Sequence, residues 1–229
     1  SRPRRVPGLV ETGLAAAWAL DSVLVAPLRT RGLLRGVSRL IVVPHGVLGQ
    51  VPFAALQDGA SGRFLVEDVA LTLLPSAAAL PALRDRGDRL GSVDGADGFA
   101  PFDRQLTASA REIASLRTFA SHLRLWTGPR ATEAALRSAL ARGSVVHVAT
   151  HGVLDSRNPM FSHIELASSP GGASIDDGRL EAHEVLSLAV RSPLVFVSGC
   201  ETGVDWKWSR DPVYGSGEPT LAQALLAAG

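Results

Sequence analysis

Cys200 is the only cysteine of the chain, and it closes an apolar run, Ser192-Pro-Leu-Val-Phe-Val-Ser-Gly-Cys200. A second apolar run, Ser144-Val-Val-His-Val-Ala-Thr-His151, closes on a histidine and is followed by Gly152. If both runs are neighbouring strands of a parallel sheet, thiol and imidazole meet at the carboxyl edge, where open α/β sheets bind their ligands. The chemistry would be nucleophilic: a thiolate attacks a carbonyl carbon, and the histidine holds the thiolate or protonates the leaving group. A lone cysteine in an apolar strand is ordinarily a small buried hydrophobe. Its place at a strand mouth, matched by a histidine at another, favours the reactive pair.

Small residues surround the pair: Gly152 after the histidine, Gly199 before the cysteine and Gly203 beyond it. Without a Cβ, backbone amides can approach a substrate closely. The N–H groups of Gly152 and Cys200 are therefore the candidate oxyanion donors, each worth about 3–4 kcal/mol in a transition state. Acidic residues follow both runs: Asp155, Asp176, Asp177, Glu201 and Asp205. One of them at the base of a specificity pocket would select Arg or Lys before the cut; as loop caps they would select nothing. Trp206 and Trp208, in a polar loop after the cysteine, either pack a substrate or partner side chain or form a local packing knot.

The other histidines read as structural. His147 lies inside its strand, back from the edge, and is expected to be a hydrogen-bonded core residue. His45 lies in a turn and takes no catalytic role, and His122, His163 and His183 lack the cysteine or carboxylate spacing of zinc ligands, so no metal and no cofactor is expected.

The elements that must position the pair alternate. Leu9 to Arg31 has a helical pattern interrupted near Pro27, and Val37 to Val43 reads as a strand. Phe64 to Leu74 contains a strand, and Ser76 to Arg86 reads as a helix with Ser76 at its cap. Gly87 to Arg104 is the least structured stretch, with a short strand near Leu90, and marks the boundary between two halves. A helix over Leu106–Phe119, a strand over Leu123–Trp126 and a helix capped by Thr132 follow. Strands over 144–150 and 193–198, separated by Phe161–Ala167, a Gly-rich turn and a helix near Ala182–Leu188, lead to a last helix over Glu218–Ala228. Strands alternating with helices give an α/β fold with a mostly parallel sheet.

The 229 residues can bury a sizeable core without staples. A net charge of +1 argues against direct nucleic-acid binding, and no apolar run reaches the length of a membrane span. With one cysteine there is no internal disulfide, so a cytoplasmic location is expected. The start, Ser1-Arg-Pro-Arg-Arg5, reads as a cut through a longer protein, and the end at Gly229 as a truncation ahead of a further strand. There is no Gly-x-Ser-x-Gly elbow and no phosphate loop to support a serine hydrolase or a nucleotide-binding protein.

His147-Val-Ala-Thr-His-Gly152 and Val197-Ser-Gly-Cys-Glu-Thr-Gly203 resemble the two signature blocks of the CHAT domain family, which shares its clan with caspases, gingipains and separase. Ile41–Leu56, Leu74–Leu80, Asp155–Ser162, Asp177–Leu180 and Gly217–Gly229 fit as well, so the similarity runs from about Leu33 onward. The histidine precedes the cysteine by about 50 positions, as in caspases. The resemblance implies a caspase-like three-layer sandwich preceded by a smaller α/β half. Residues 1–32 would be a helical or linker segment and 33–229 the CHAT domain, with an N-terminal half over 33–86 and a catalytic half over 105–229.

It further implies a cysteine endopeptidase with a His151–Cys200 dyad; Asp155, Asp177, Glu201, Asp205 and Trp206, which flank the pair in the sequence, are the candidate substrate contacts. Its partners would be a protein substrate and a regulatory partner or fused helical-repeat domain of tetratricopeptide type. The cysteine block departs from the Gln-Ala-Cys of caspases, so a preference for aspartate does not carry over. A catalytically silent scaffold of the same fold and a small-molecule thiol hydrolase on another α/β fold are the competing readings.

Overall fold

The computed structural model describes residues 9–89, 95–155, 157–169, 176–199 and 220–229. The chain divides into two compact units, Ser1–Leu80 and Pro81–Gly229.

In the first unit, helix α1 (Leu9–Leu24) breaks at Val25, and α2 (Ala26–Thr30) restarts with Pro27 in its first turn. Proline is tolerated there because that N–H has no helical acceptor to lose. Strand β1 (Arg39–Val42) pairs in parallel with β2 (Ala70–Leu73). The expected strand over Phe64–Leu74 is preceded by a one-turn helix, α3 (Leu65–Asp68). The Glu67 carboxylate accepts from the Phe64 N–H at 2.7 Å, and Arg63 reaches Asp68 at 2.7 Å, so local polar bonds hold that turn within an apolar run. Val25, Phe53, Leu56, Leu65 and Val69 form the core of this unit.

After α4 (Ala79–Arg89) comes the backbone of the second unit. It contains β3 (Gly95–Ala100), α5 (Ser109–Ala114), β4 (His122–Thr127), α6 (Glu133–Arg142) and β5 (Val145–Ala149). A small antiparallel sheet follows: β6 (Gly152–Val153), β7 (His163–Glu165) and β8 (Arg179–Glu181), leading into α7 (Ala182–Val185). Strand β9 (Val195–Ser198) and helix α8 (Leu221–Ala228) close the set. The main sheet has the order β4-β3-β5-β9, and every pair in it is parallel.

Helices cover both faces of this sheet. Phe99, Val146 and Val148 point toward α6, α7 and α8 and join Leu136, Leu140, Val185, Leu221 and Ala224 in the larger core. Ala100 and Ala149 point the other way and pack with Ile113 of α5. The result is a three-layer α/β sandwich.

Strand β3 corrects the expectation of an unstructured stretch there. Gly95–Ala100 is an inner strand, buried from Ala96 onward. Its composition looks like a loop because its neighbours demand small and polar residues. A Cβ on Gly98 would lie 2.7 Å from Ile113, so glycine is what lets α5 sit close. Asp97 is fully buried but receives Ser144 Oγ at 2.6 Å, Trp126 Nε1 at 2.9 Å and Arg142 at 3.0 Å. The expected strand near Leu90 falls outside the described residues.

Helix α6 forms as its sequence demands. The Thr132 side chain accepts the Ala135 N–H at the start, and Gly143 ends the helix in the left-handed region at φ 84°.

Candidate active site

The site builds on the carboxyl edge where β5 and β9 run side by side. Their register pairs Ala149 with Ser198, and the Thr150 N–H continues the ladder to the Ser198 carbonyl at 3.0 Å. Thr150 also donates from its hydroxyl to the carbonyl of Glu165 in β7. The next carbonyl, that of His151, accepts the Glu165 N–H at 2.9 Å. The chain is thus pinned to β9 on one side and to β7 on the other as it leaves the parallel sheet. His151 is the residue held at that transition.

The half-buried His151 ring packs against Phe102, with ring centroids 5.3 Å apart and planes tilted by 47°. Phe102 comes from the turn that follows β3. Its carbonyl accepts the N–H groups of Gln105 and Leu106, which curl that turn back on itself.

Gly152 lies opposite Ile164 in the β6–β7 ladder. Antiparallel ladders alternate bonded and non-bonded pairs. Because Glu165 bonds to His151, the Gly152–Ile164 pair is a non-bonded one, and the Gly152 N–H points away from β7. A substrate oxygen could reach it there without breaking a ladder bond.

Cys200, Glu201, Asp205, Trp206 and Trp208 lie outside the described residues. The structure therefore describes one half of the expected dyad and the strand that leads to the other.

The three described acidic candidates are engaged locally. Asp155 accepts the N–H groups of Arg157 and Asn158 at 2.8 and 2.9 Å, and these bonds hold its carboxyl below the usual range. Asp176 accepts from Ser169 Oγ and from the Ala134 N–H at the start of α6. Asp177 accepts the Arg179 N–H at 2.8 Å. None of the three is brought against His151.

His147 faces α5, where its Nε2 lies 2.8 Å from Glu112 Oε1 and its ring packs on Phe196. It is a hydrogen-bonded interior residue, set back from the edge. His163 and His183 lie near the backbone carbonyls of Phe161 and Met160. Among the described residues no group of three or more His, Cys, Asp or Glu side chains could hold a metal ion.

Phe102 and Asp103 are neighbours of the site that the sequence reading passed over. The signal was present, since Pro101-Phe-Asp103 follows a strand as Thr150-His-Gly152 does. It became readable only once β3 was located at Gly95–Ala100.

A parallel sheet sandwiched between helices, with a histidine fixed at its carboxyl edge, defines an α/β domain of the caspase-like class. The CHAT domain model matches residues 14–229, and the chain belongs to the CHAT domain family. The family is related to the caspase-like cysteine peptidases. Comparison with individual curated proteins gave no match. No helix among the described residues is long and apolar enough to cross a membrane.

Proposed function

We propose that this domain is a caspase-like cysteine endopeptidase that uses Cys200 as nucleophile and His151 as its proton-transfer partner. The observation that carries this reading is the in-register, parallel pairing of β5 with β9. His151 follows one of these strands at the carboxyl edge, and Cys200 comes two positions after the last residue of the other in the sequence.

In the reaction, the Cys200 thiolate forms a bond to the carbonyl carbon of the scissile peptide. The carbonyl electron pair moves onto oxygen, where the Gly152 N–H and the Cys200 N–H stabilise the negative charge. His151, protonated in the ion pair, gives its proton to the departing amine as the C–N bond breaks. Water then attacks the thioester, with His151 taking its proton, and releases the acid and the thiol. No metal or cofactor enters any step. The substrate is a protein, and a regulatory partner or fused helical-repeat domain controls access to it.

The test is a pair of variants, Cys200→Ala and His151→Ala, assayed against a peptide library. Each should lower kcat/KM by roughly 10⁴-fold or more while leaving thermal unfolding unchanged, because each removes a member of a unit that acts together. Turnover by either variant at the wild-type rate would reject the dyad.

A further inference from the structure

We propose that Asp103, in the turn after β3, is the specificity carboxylate of this site and receives the Lys or Arg side chain that precedes the scissile bond. The inference rests on the peptidase reading above and supplies its substrate class.

Strand β5 has β9 on one side and β3 on the other. A peptide whose scissile carbonyl sits between the ends of β5 and β9 therefore has the end of β3 as its next neighbour along the carboxyl edge. The turn found there places Phe102 on the His151 ring, and Asp103 is the next residue.

Of the other described carboxylates near this edge, four bond within the chain, while the half-buried Glu165 of β7 has no side-chain partner among the described residues and belongs to the antiparallel sheet. Asp155, Asp176 and Asp177 each cap a backbone N–H. Glu133 is bonded to Arg137. Asp103, just past the end of the strand that adjoins β5 in the parallel sheet, is half-buried with no hydrogen bond and no ion pair among the described residues.

A partly desolvated carboxylate without a partner is costly unless a ligand completes it. Its Oδ1 faces the end of β4 at Gly128, where a Cβ would come to 3.7 Å. Gly128 has φ 52°, a conformation that favours glycine, so the wall beside the carboxylate is bare backbone. A guanidinium or ammonium on an extended stem fits such a wall, with its charge on Asp103 and its methylenes along the backbone. Two exposed cations, Arg104 next to Asp103 and Arg130 two residues past Gly128, would repel the same side chain. They have open solvent to extend into, whereas Asp103 is held in the turn.

The experiment compares peptides identical except for Arg, Lys, Leu or Asp before the cut, using the whole chain as wild type, Asp103→Asn and Asp103→Arg. The wild type should favour Arg and Lys. Asp103→Asn should lose about 10- to 100-fold in kcat/KM on those two peptides and leave the Leu peptide unchanged. Asp103→Arg should move the preference toward Asp. Titrating the Arg peptide into Cys200→Ala, with and without Asp103→Asn, separates binding from chemistry and should show the same loss in affinity.

Cys200-dependent cleavage whose preference ignores position 103, or favours Leu or Asp in the wild type, overturns this inference and leaves the peptidase standing. Cleavage that survives Cys200→Ala, or no cleavage of any peptide, overturns the peptidase reading and this inference with it.

Discussion

Two aspartates six positions apart, Asp97 within β3 and Asp103 just past its end, experience opposite surroundings. Asp97 has no solvent exposure, yet its two oxygens receive Ser144, Trp126, Arg142 and the more distant Arg124. Burial pushes its carboxyl up, but the bonds from Ser144 and Trp126 and the charge of Arg142 outweigh burial and hold it below the usual 3.8. Asp103 is more open to water and has no partner among the described residues. A scaffold must satisfy every polar group it buries, because each one left unpaired costs about 1–3 kcal/mol. A binding surface does the reverse and leaves groups unpaired for the ligand to complete. Asp97 is held in the first way and Asp103 in the second.

The strongest way to break this comparison is to empty both positions and measure stability. Asp97→Ala strands the buried Ser144 hydroxyl and the Trp126 N–H, and should cost about 3 kcal/mol. In a unit of this size that lowers Tm by roughly 6–12 °C. Asp103→Ala should stay within about 0.5 kcal/mol of wild type, as surface changes do. Equal losses at the two positions would show that Asp103 is a scaffold group after all.

The Asp97 contribution also has a pH signature. A carboxyl whose pKa is depressed on folding stabilises the fold above its unfolded value and loses that contribution as pH falls through the folded one. The stability gap between wild type and Asp97→Asn should therefore be widest above pH 3.8 and close below it. A gap that stays constant through acid denaturation would mean that Asp97 acts by packing rather than by charge.

On the carboxyl edge the matching measurement is kinetic. Phe102→Ala removes the ring that packs on His151. Freed to rotate, the imidazole should spend less time aligned, and kcat should fall about 10-fold with KM unchanged. Phe102→Leu, which keeps an apolar wall, should recover most of the loss. A rise in KM alone would place Phe102 against substrate instead of against the histidine.

The contrast between the two aspartates also explains which parts of the fold were legible in the sequence. Strand β5 could be read because a strand inside a parallel sheet is apolar on both faces and Val145 to Ala149 is nearly all apolar, and β9 because Val195 to Val197 is an unbroken apolar run. Helix α6 could be read from Thr132 at its cap and Gly143 at its end. Strand β3 could not. Its Gly-Ala-Asp-Gly core is set by the closeness of Ile113 and by partners at Arg142 and Ser144, all distant in sequence. Helix α3 was hidden for the opposite reason, since its apolar residues match a strand and only Glu67 and Asp68 hold the turn. His151 could be proposed because a histidine at a strand mouth is visible locally. Phe102 and Asp103 could not, because their strand had not been found.

Glu133 tests the comparison from a third position, at the carboxyl-edge end of α6, whose other end carries Arg142. It is as buried as Asp97, but its partners are fewer: Arg137 bonds one oxygen, and Oε2 is buried with none among the described residues. Arg137 is shared with Glu184 at 2.7 Å. Burial accordingly pushes the Glu133 carboxyl up, Arg137 only partly opposes it, and the charges of Glu184 and Asp176 add to the rise. An acid raised on folding holds its proton more tightly in the native state, so its contribution to stability declines as pH climbs from 4.5 through the folded value. Glu133→Gln, which does not titrate, should change stability by less than about 1 kcal/mol at neutral pH, since a buried ion pair often breaks even with a neutral replacement. Chemical denaturation at pH 4 and pH 7 should show the variant gaining on wild type as pH rises. If wild type gains instead, the attraction of Arg137 exceeds the cost of burial, and Glu133 belongs with Asp97 among the satisfied groups of the scaffold.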